Sequence, residues 1–150
     1  MTKHSESRQL PYSPRQMYDL VADVARYPEF LPWCAAARIR STRDAGDHAV
    51  MEADLVISFK VFRERFGSRV TLWPQEMRID TEYLDGPFRY LKSRWVFTPE
   101  GDGCRVDFDV DFEFRNVVLQ KVIGVVFNEA MHRIVRAFET RAKALYGAGG

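Results

Sequence analysis

The sequence predicts an α+β fold in which a curved antiparallel sheet of about seven strands wraps a long C-terminal helix, with a helix and a short helical turn after the first strand. Three observations predict it. Between Trp33 and Arg115 the apolar residues recur with the period of two that belongs to strands. From Asn116 onward they recur at spacings of three and four, which belong to a helix. Ahead of both, "YSPRQMYDLVADVARYP" carries its own helix start and stop signals.

Size and charge bound what such a fold can do. A chain of 150 residues makes one domain, expected over residues 1–146 with 147–150 as a disordered tail, and folding at that length buries roughly 68–70% of the unfolded surface. Lysine and arginine number 22 against 21 acidic residues, a formal charge of +1, so there is no basic excess to suggest specific DNA binding. No stretch reaches the ~20 apolar residues of a membrane span, and "MTKHSESRQL" lacks the apolar stretch of a secretory signal. The expectation is a cytoplasmic protein, with peripheral contact at the inner membrane as its variant. Cys34 and Cys104 form no CxxC pattern and read as buried thiols, with neither a disulfide framework nor a zinc site.

The elements follow in chain order. A first strand is expected near Ser7. Ser13 can cap the first helix, Pro14 suits its first position, and Gln16 completes a capping box. Met17, Leu20, Val21 and Val24 then form one apolar face. Pro28 pushes Tyr27 out of the α region and ends the helix, while Pro32 limits the next helical piece to a turn around Glu29, Phe30 and Leu31. Six further strands are expected near Ile39, Leu55, Phe66, Ile79, Trp95 and Phe108, separated by the breakers "RDAGDH", "WPQE", "DGP" and "PEGDG". "CRVDFDVDFEF" alternates cleanly, with Asp107, Asp109, Asp111 and Glu113 outward, as in an antiparallel strand with one wet face. Outward Arg63, Arg65 and Arg69 read either as partners in cross-strand ion pairs or as a basic docking face. The last helix runs from the cap Asn116 to the stop Gly147, with a stripe of Ile123, Phe127, Ala130, Ile134, Phe138, Ala142 and Leu145. Its first half is apolar nearly all round, so it is buried on several sides, borders a cavity, or touches a membrane or partner.

Four stretches carry a resemblance over nearly the whole chain: "YPEFLPWC" (residues 27–34), "LDGPFRYLKSRWVF" (84–97), "VDFEFRN" (110–116) and "VFNEAMHRIVRAFETRA" (126–142). With the order of elements, they resemble the START-like (helix-grip, Bet v 1-like) superfamily. Within it they are similar to the coenzyme Q-binding START-type proteins, which include mitochondrial ubiquinone-binding proteins and a bacterial branch described as ribosome-association toxins. The resemblance implies a hydrophobic cavity between sheet and C-terminal helix, a polyisoprenoid quinone or similar lipid as ligand, no catalytic chemistry and no other cofactor.

Strand parity supplies inward residues for such a cavity: Met51, Leu55, Ile57 and Phe59, then Ile79, Trp95 and Phe97, then Phe108, Val110 and Phe112. The last helix offers Val126, Phe127, Ala130, Met131 and Ile134. Met re-packs at low cost and Ala leaves room, which suits an adaptable pocket, although the same apolar face would serve a solid core. The bends at Pro28 and Pro32 place Tyr27, Phe30, Leu31 and Trp33 where this superfamily has its cavity mouth, and the turn at Gly86 and Pro87 is expected to present Phe88 at its tip. Exposed aromatics there would enter lipid or meet a membrane-bound partner such as a respiratory complex. Candidate donors to a quinone head are Tyr27, Arg94, Asn128 and His132.

Two other classes compete. An enzyme of the polyketide cyclase/dehydratase type shares the superfamily fold but needs an inward acid or base. His4 reads as part of a mobile terminus, His48 as a surface residue and His132 as a satisfied or solvated one, and no HExxH, GxGxxG or phosphate loop occurs. The ribosome-association branch suggests an interaction protein, with Arg63, Arg65 and Arg69 facing phosphates.

Overall fold

A computed structural model describes residues 2–59 and 62–147. The expected tail therefore lies outside the described residues apart from Gly147. The seven strands are β1 (Thr2–Leu10), β2 (Cys34–Asp44), β3 (Ala49–Phe59), β4 (Phe62–Trp73), β5 (Arg78–Asp85), β6 (Phe88–Glu100) and β7 (Gly103–Phe114). They form one sheet in the order β1-β7-β6-β5-β4-β3-β2. Every pairing is antiparallel. Six strands thus pair with their sequence neighbours, and β1 crosses to the far edge beside β7.

The crossing is made by α1 (Pro14–Ala22) and a 3₁₀ helix, Val24–Glu29. Ser13 caps α1 through the expected capping box, its hydroxyl accepting from the Gln16 N–H at 3.1 Å while the Gln16 side chain accepts from the Ser13 N–H at 2.9 Å. The helix nevertheless ends at Ala22, earlier than Pro28 alone dictates. Asp23 leaves the helical region at φ −85°, ψ 68°, and Pro28 then sits inside the 3₁₀ helix instead of terminating α1. The helical turn predicted around Glu29 is this 3₁₀ segment, displaced toward the N-terminus.

The long helix α2 spans Val117–Tyr146. Asn116 accepts from the N–H groups of Val118 and Leu119 at 2.9 and 3.0 Å. Gly147, at φ 83°, closes the other end with its N–H on the Lys143 carbonyl. Leu145 is 52% exposed, so the buried stripe stops at Ala142. The backbone of α2 comes close chiefly to β1, β7 and α1 and stands away from the strands between β2 and β5.

Two buried clusters flank that gap. One gathers Met17, Tyr18, Leu20 and Val21 of α1 with Phe97, Val106 and Phe138. The other, around the start of α2, holds Phe66, Phe88, Phe112, Phe114, Leu119 and Phe127. Phe88 is 3% exposed and packs on Phe66, Phe112 and Phe114. It is therefore no exposed tip, because Gly86, at φ 135°, lets the turn fold back until its Cα hydrogens face Phe66.

The outer face carries the cross-strand pairs. Asp54 accepts from Arg40 and Arg65, and Arg65 also donates to Asp85 at 2.9 Å. These guanidinium groups, Arg40 first, hold the Asp54 carboxyl below its usual range. Arg69 lies between Glu52 and Glu82, and Arg94 donates to Asp80. Two of the three arginines proposed as a basic face are thus paired with carboxylates, while Arg63 is exposed.

Two glycines give opposite expectations for stability. A Cβ at Gly103 would lie 1.9 Å from the Leu10 carbonyl oxygen, where β1 crosses the start of β7. Gly103→Ala is expected to cost about 3 kcal/mol and lower Tm by roughly 6–12 °C. A Cβ at Gly124, in the middle of α2, meets open space. Gly124→Ala should raise Tm by about 2–4 °C through helix propensity, both shifts being read by circular dichroism melts.

Candidate ligand cavity

The gap between α2 and the concave face of the sheet is a cavity of about 280 Å³. Parity builds its floor: Leu55, Ile57 and Phe59 from β3, Ile79 from β5, Trp95 from β6, and Phe108, Val110 and Phe112 from β7. Its roof is Ala130, Met131 and Ile134 of α2. Tyr27, Leu31, Pro32 and Trp33 close one end, and Phe88 lines the other from within. These expected residues come together in one place.

Others do not. Met51 and Phe97 point inward but belong to the solid core with α1, where the Tyr18 ring meets Phe97 edge-on. Val126 is turned to the side of α2 and is not in the lining, and Phe127 packs against Phe112 and His4 between α2 and the β1–β7 edge. Pro28, Gly86 and Pro87 shape the bends without lining the space. Phe30 packs edge-on against Tyr27 and Phe138. The Arg141 guanidinium covers it at 5.2 Å and donates to Glu29 at 2.7 Å. Phe30 therefore plugs the junction and leaves the mouth to Trp33.

Trp33 is held in an unusual way. Its φ of 64° lies in the left-handed region, rare for a bulky residue. Its carbonyl accepts from the Ser58 N–H at 2.8 Å. The indole meets Phe59 edge-on at 5.7 Å and lies under the Arg133 guanidinium at 5.3 Å. One side chain thus bridges β2, β3 and α2 across the opening.

Sequence reasoning missed several lining residues: Val21, Val24, Cys34, Phe66, Val70, Leu91, Phe114, Ile123, Phe138 and, above all, three hydroxyls. Ser68 (β4), Thr81 (β5) and Ser93 (β6) lie on adjacent strands. Thr81 faces Ser93 directly across the ladder, and Ser68 is diagonal to Thr81. Ser68 is 2% exposed. None of the three hydroxyls has a side-chain hydrogen bond among the described residues. Their parity was readable from Ile79, Trp95 and Val70, but polar residues at inward positions break the apolar pattern that marks a strand's dry face.

The lining contains no Asp, Glu, Lys, Arg or His among the described residues. The four candidate head-group donors are all engaged or placed elsewhere. Tyr27 donates to the Val21 carbonyl at 2.5 Å, and burial pushes its phenol far up, so it stays protonated. Arg94 is outward on Asp80, and Asn128 is exposed on α2. His132 lies 3.0 Å from Glu6.

That last contact belongs to a separate polar clasp on the inner side of β1. Glu6 Oε1 meets both His4 Nε2, at 2.9 Å, and His132 Nδ1, while Arg8 bonds the other oxygen and reaches Glu139. Burial alone would raise the Glu6 carboxyl, but hydrogen bonds from His4 and Arg8 outweigh it and lower it. His4 is thus built into an edge strand instead of a loose terminus. The three donor atoms of His4, Glu6 and His132 lie within 4.8 Å of one another, a convergence with no trace in sequence spacing. A wider depression of about 650 Å³ lies on the outer sheet face, lined by charges of both signs such as Lys92 and Arg94 against Asp80 and Asp109.

Comparison with known proteins adds the following. The family described as "Polyketide cyclase / dehydrase and lipid transport" matches residues 10–139. A Rickettsia prowazekii protein named ribosome association toxin RatA is 41% identical over 95% of this chain and 97% of its own length. A Xenopus laevis protein, the mitochondrial coenzyme Q-binding protein COQ10 homolog B, is 35% identical over 97% of this chain and 59% of its own. Among solved structures, an 18 kDa Caulobacter crescentus protein superposes with a TM-score of 0.83 at 36% identity, covering 99% of this chain and 100% of its own. The Zhui aromatase/cyclase of Streptomyces sp. R1128, at TM-score 0.81 and 15% identity over 99% of this chain and 98% of its own, shares the fold.

The two thiols report on the cavity. Burial pushes both up to about 11, so the reactive thiolate is scarce at neutral pH. Cys34 lines the cavity and is partly exposed, whereas Cys104 is fully buried. N-ethylmaleimide is expected to modify Cys34 alone in the native protein, with a rate that climbs about tenfold per pH unit up to that range. Mass spectrometry of the intact protein and its peptides reads both features.

Proposed function

The chain belongs to the polyketide cyclase/dehydrase and lipid transport family, and from that premise we propose that it is a non-enzymatic carrier that takes a polyisoprenoid quinone, or a closely similar lipid, into the cavity under α2. The observation that carries this reading is an apolar cavity with no charged side chain among its described lining residues, closed at one end by Tyr27, Leu31, Pro32 and Trp33. The coenzyme Q-binding relative supports the quinone as cargo. The described lining residues include no carboxylate or imidazole, and the Tyr27 hydroxyl is already donating to the Val21 carbonyl, which argues against cyclase chemistry.

Volume limits how the cargo sits. A space of about 280 Å³ falls just below the roughly 300–1,000 Å³ of small-molecule sites. It holds a ring and the start of a tail, so a long polyprenyl chain leaves through the mouth. Each buried methylene contributes about 0.8 kcal/mol, offset by ordering of the tail. The outer side of α2 near its start exposes Val117, Val118 and Val125, the last at 86%, beside Arg115 and Lys121. No helix among the described residues is long and apolar enough to cross a membrane. Apolar residues flanked by cations suit transient docking on an anionic lipid surface, where a protruding tail could pass between membrane and protein.

A second reading, association with the ribosome, is favoured by the Rickettsia relative, named a ribosome association toxin. Its contact surface would not be the arginine row of β4, since Arg65 and Arg69 are paired with carboxylates.

Native mass spectrometry with lipid extraction tests the carrier. The wild-type protein should carry quinone at close to one per chain, and Leu55→Trp should lose it while costing about 1–3 kcal/mol of stability. A protein that stays empty when offered quinone in liposomes, yet co-sediments with ribosomes in a salt-sensitive manner, would replace the carrier by the ribosome reading.

A further inference from the structure

We infer that the row formed by Ser68, Thr81 and Ser93 is the head-group subsite of the cavity, and that it selects lipids entering head first with an uncharged, carbonyl-bearing ring. The inference rests on the carrier reading above and adds the orientation and charge class of the cargo.

The geometry is specific. Thr81 and Ser93 are a directly opposed cross-strand pair, and Ser68 sits on the diagonal one strand further. Such neighbours lie about 4.5–5.5 Å and 7–8 Å apart, respectively. The three hydroxyls thus cross the middle of the floor, with Trp95, Phe108 and Val110 on the flanking inward positions. Ser68 is 2% exposed as a residue and lines the cavity, and its hydroxyl has no hydrogen bond to another side chain among the described residues. Its donor is left for whatever fills the cavity.

The charge class follows from the rest of the lining. A carboxylate or phosphate drawn into this space would find no cation among the described lining residues, and an isolated buried charge is strongly disfavoured. Arg133 is held over Trp33 at the mouth, outside the lining. An anionic amphiphile is therefore restricted to entering tail first, with its head near Arg133. A neutral ring with acceptor oxygens gains from entering head first, since each oxygen can accept from a hydroxyl and its apolar faces meet Trp95 and Phe108.

The test compares three ligands of equal tail: a decyl ubiquinone analogue, decylbenzene and decanoate, each titrated by intrinsic tryptophan fluorescence against wild type, Ser68→Ala, Ser93→Ala and Arg133→Gln. The quinone is expected to bind wild type more tightly than decylbenzene. Each serine variant should weaken the quinone about 3- to 10-fold while leaving decylbenzene unchanged. Ser68→Ala should also keep or raise the Tm of the empty protein, because it removes a cavity-facing hydroxyl that holds no other side chain among the described residues. A purely structural serine would lower it. If the quinone loses affinity in Arg133→Gln and not in the serine variants, entry is tail first and the subsite is overturned. If quinone and decylbenzene bind wild type equally and the serine variants change neither, the subsite is overturned while the carrier reading stands. If none of the three ligands binds, the carrier reading itself falls and takes the subsite with it.

Discussion

One helix has to cover seven strands. At 4.7–4.9 Å between neighbours, a seven-stranded sheet is about 29 Å across, whereas a helix with its side chains is about 10–12 Å wide. A flat sheet would leave most of its dry face wet. The sheet therefore curls around α2, and the helix can touch it only along part of the arc. In this chain α2 comes close to β1 and β7 and leaves the middle strands at a distance. The polar clasp of Glu6 with His4, Arg8 and His132 and the Arg8–Glu139 pair fasten that edge. On the opposite side Arg141 ties α2 to Glu29. The helix is thus fixed at its flanks, and what lies beneath its centre is set by side-chain size alone.

Size divides the space into three zones. Toward one end α1 fills the arc, with Met17, Tyr18 and Val21 reaching Phe97 and Val106 to make a solid core. Toward the other, Phe66, Phe88, Phe112, Phe114 and Phe127 stack against one another and seal the start of α2. Between them β4, β5 and β6 each place one hydroxylated residue inward, Ser68, Thr81 and Ser93, and α2 contributes Ala130 above. The void lies where small side chains on the sheet face a small side chain on the helix. Closing it from the side falls to Trp33, which is why a strained φ at that residue is tolerated: the indole has partners on both β3 and α2.

Much of this was legible in the sequence because strand parity is a strict period. The inward series of β3 and β7, the capping box at Ser13 and the cap at Asn116 all follow from local rules that the tertiary structure does not override. Parity, however, says which way a side chain points and not what it meets. Phe97 shares the parity of Trp95 but packs against Tyr18 of α1, and Met51 shares the parity of Leu55 but is not part of the lining. Phe88 was misplaced for a related reason: a Gly-Pro turn announces a bend, but only the approach of Gly86 to Phe66 decides whether the bend throws the next residue out or in. The hydroxyl row was hidden by the same rule that revealed its neighbours, since an inward serine resembles a break in the pattern. His4 was misjudged because proximity to a terminus says nothing about whether a strand end is tied down, and here Glu6 and the β7 ladder tie it.

The void also bears on why a family of this shape would bind a guest at all. Cavities left by removed side chains destabilise by about 24 cal/mol per Å³. The space under α2 likewise forgoes the packing contacts that a filled core would make. A fold that retains such a space therefore relies on the solid zones at its two ends and on the clasps along α2 to stay folded. It also has a large reserve that a guest restores when it binds the folded state and not the unfolded one. The outward placement of the paired charges of Asp54, Arg69 and Arg94 leaves no carboxylate or guanidinium among the described residues that line the cavity. Ligand binding and core formation are in this sense one process, completed by a molecule that the chain does not encode.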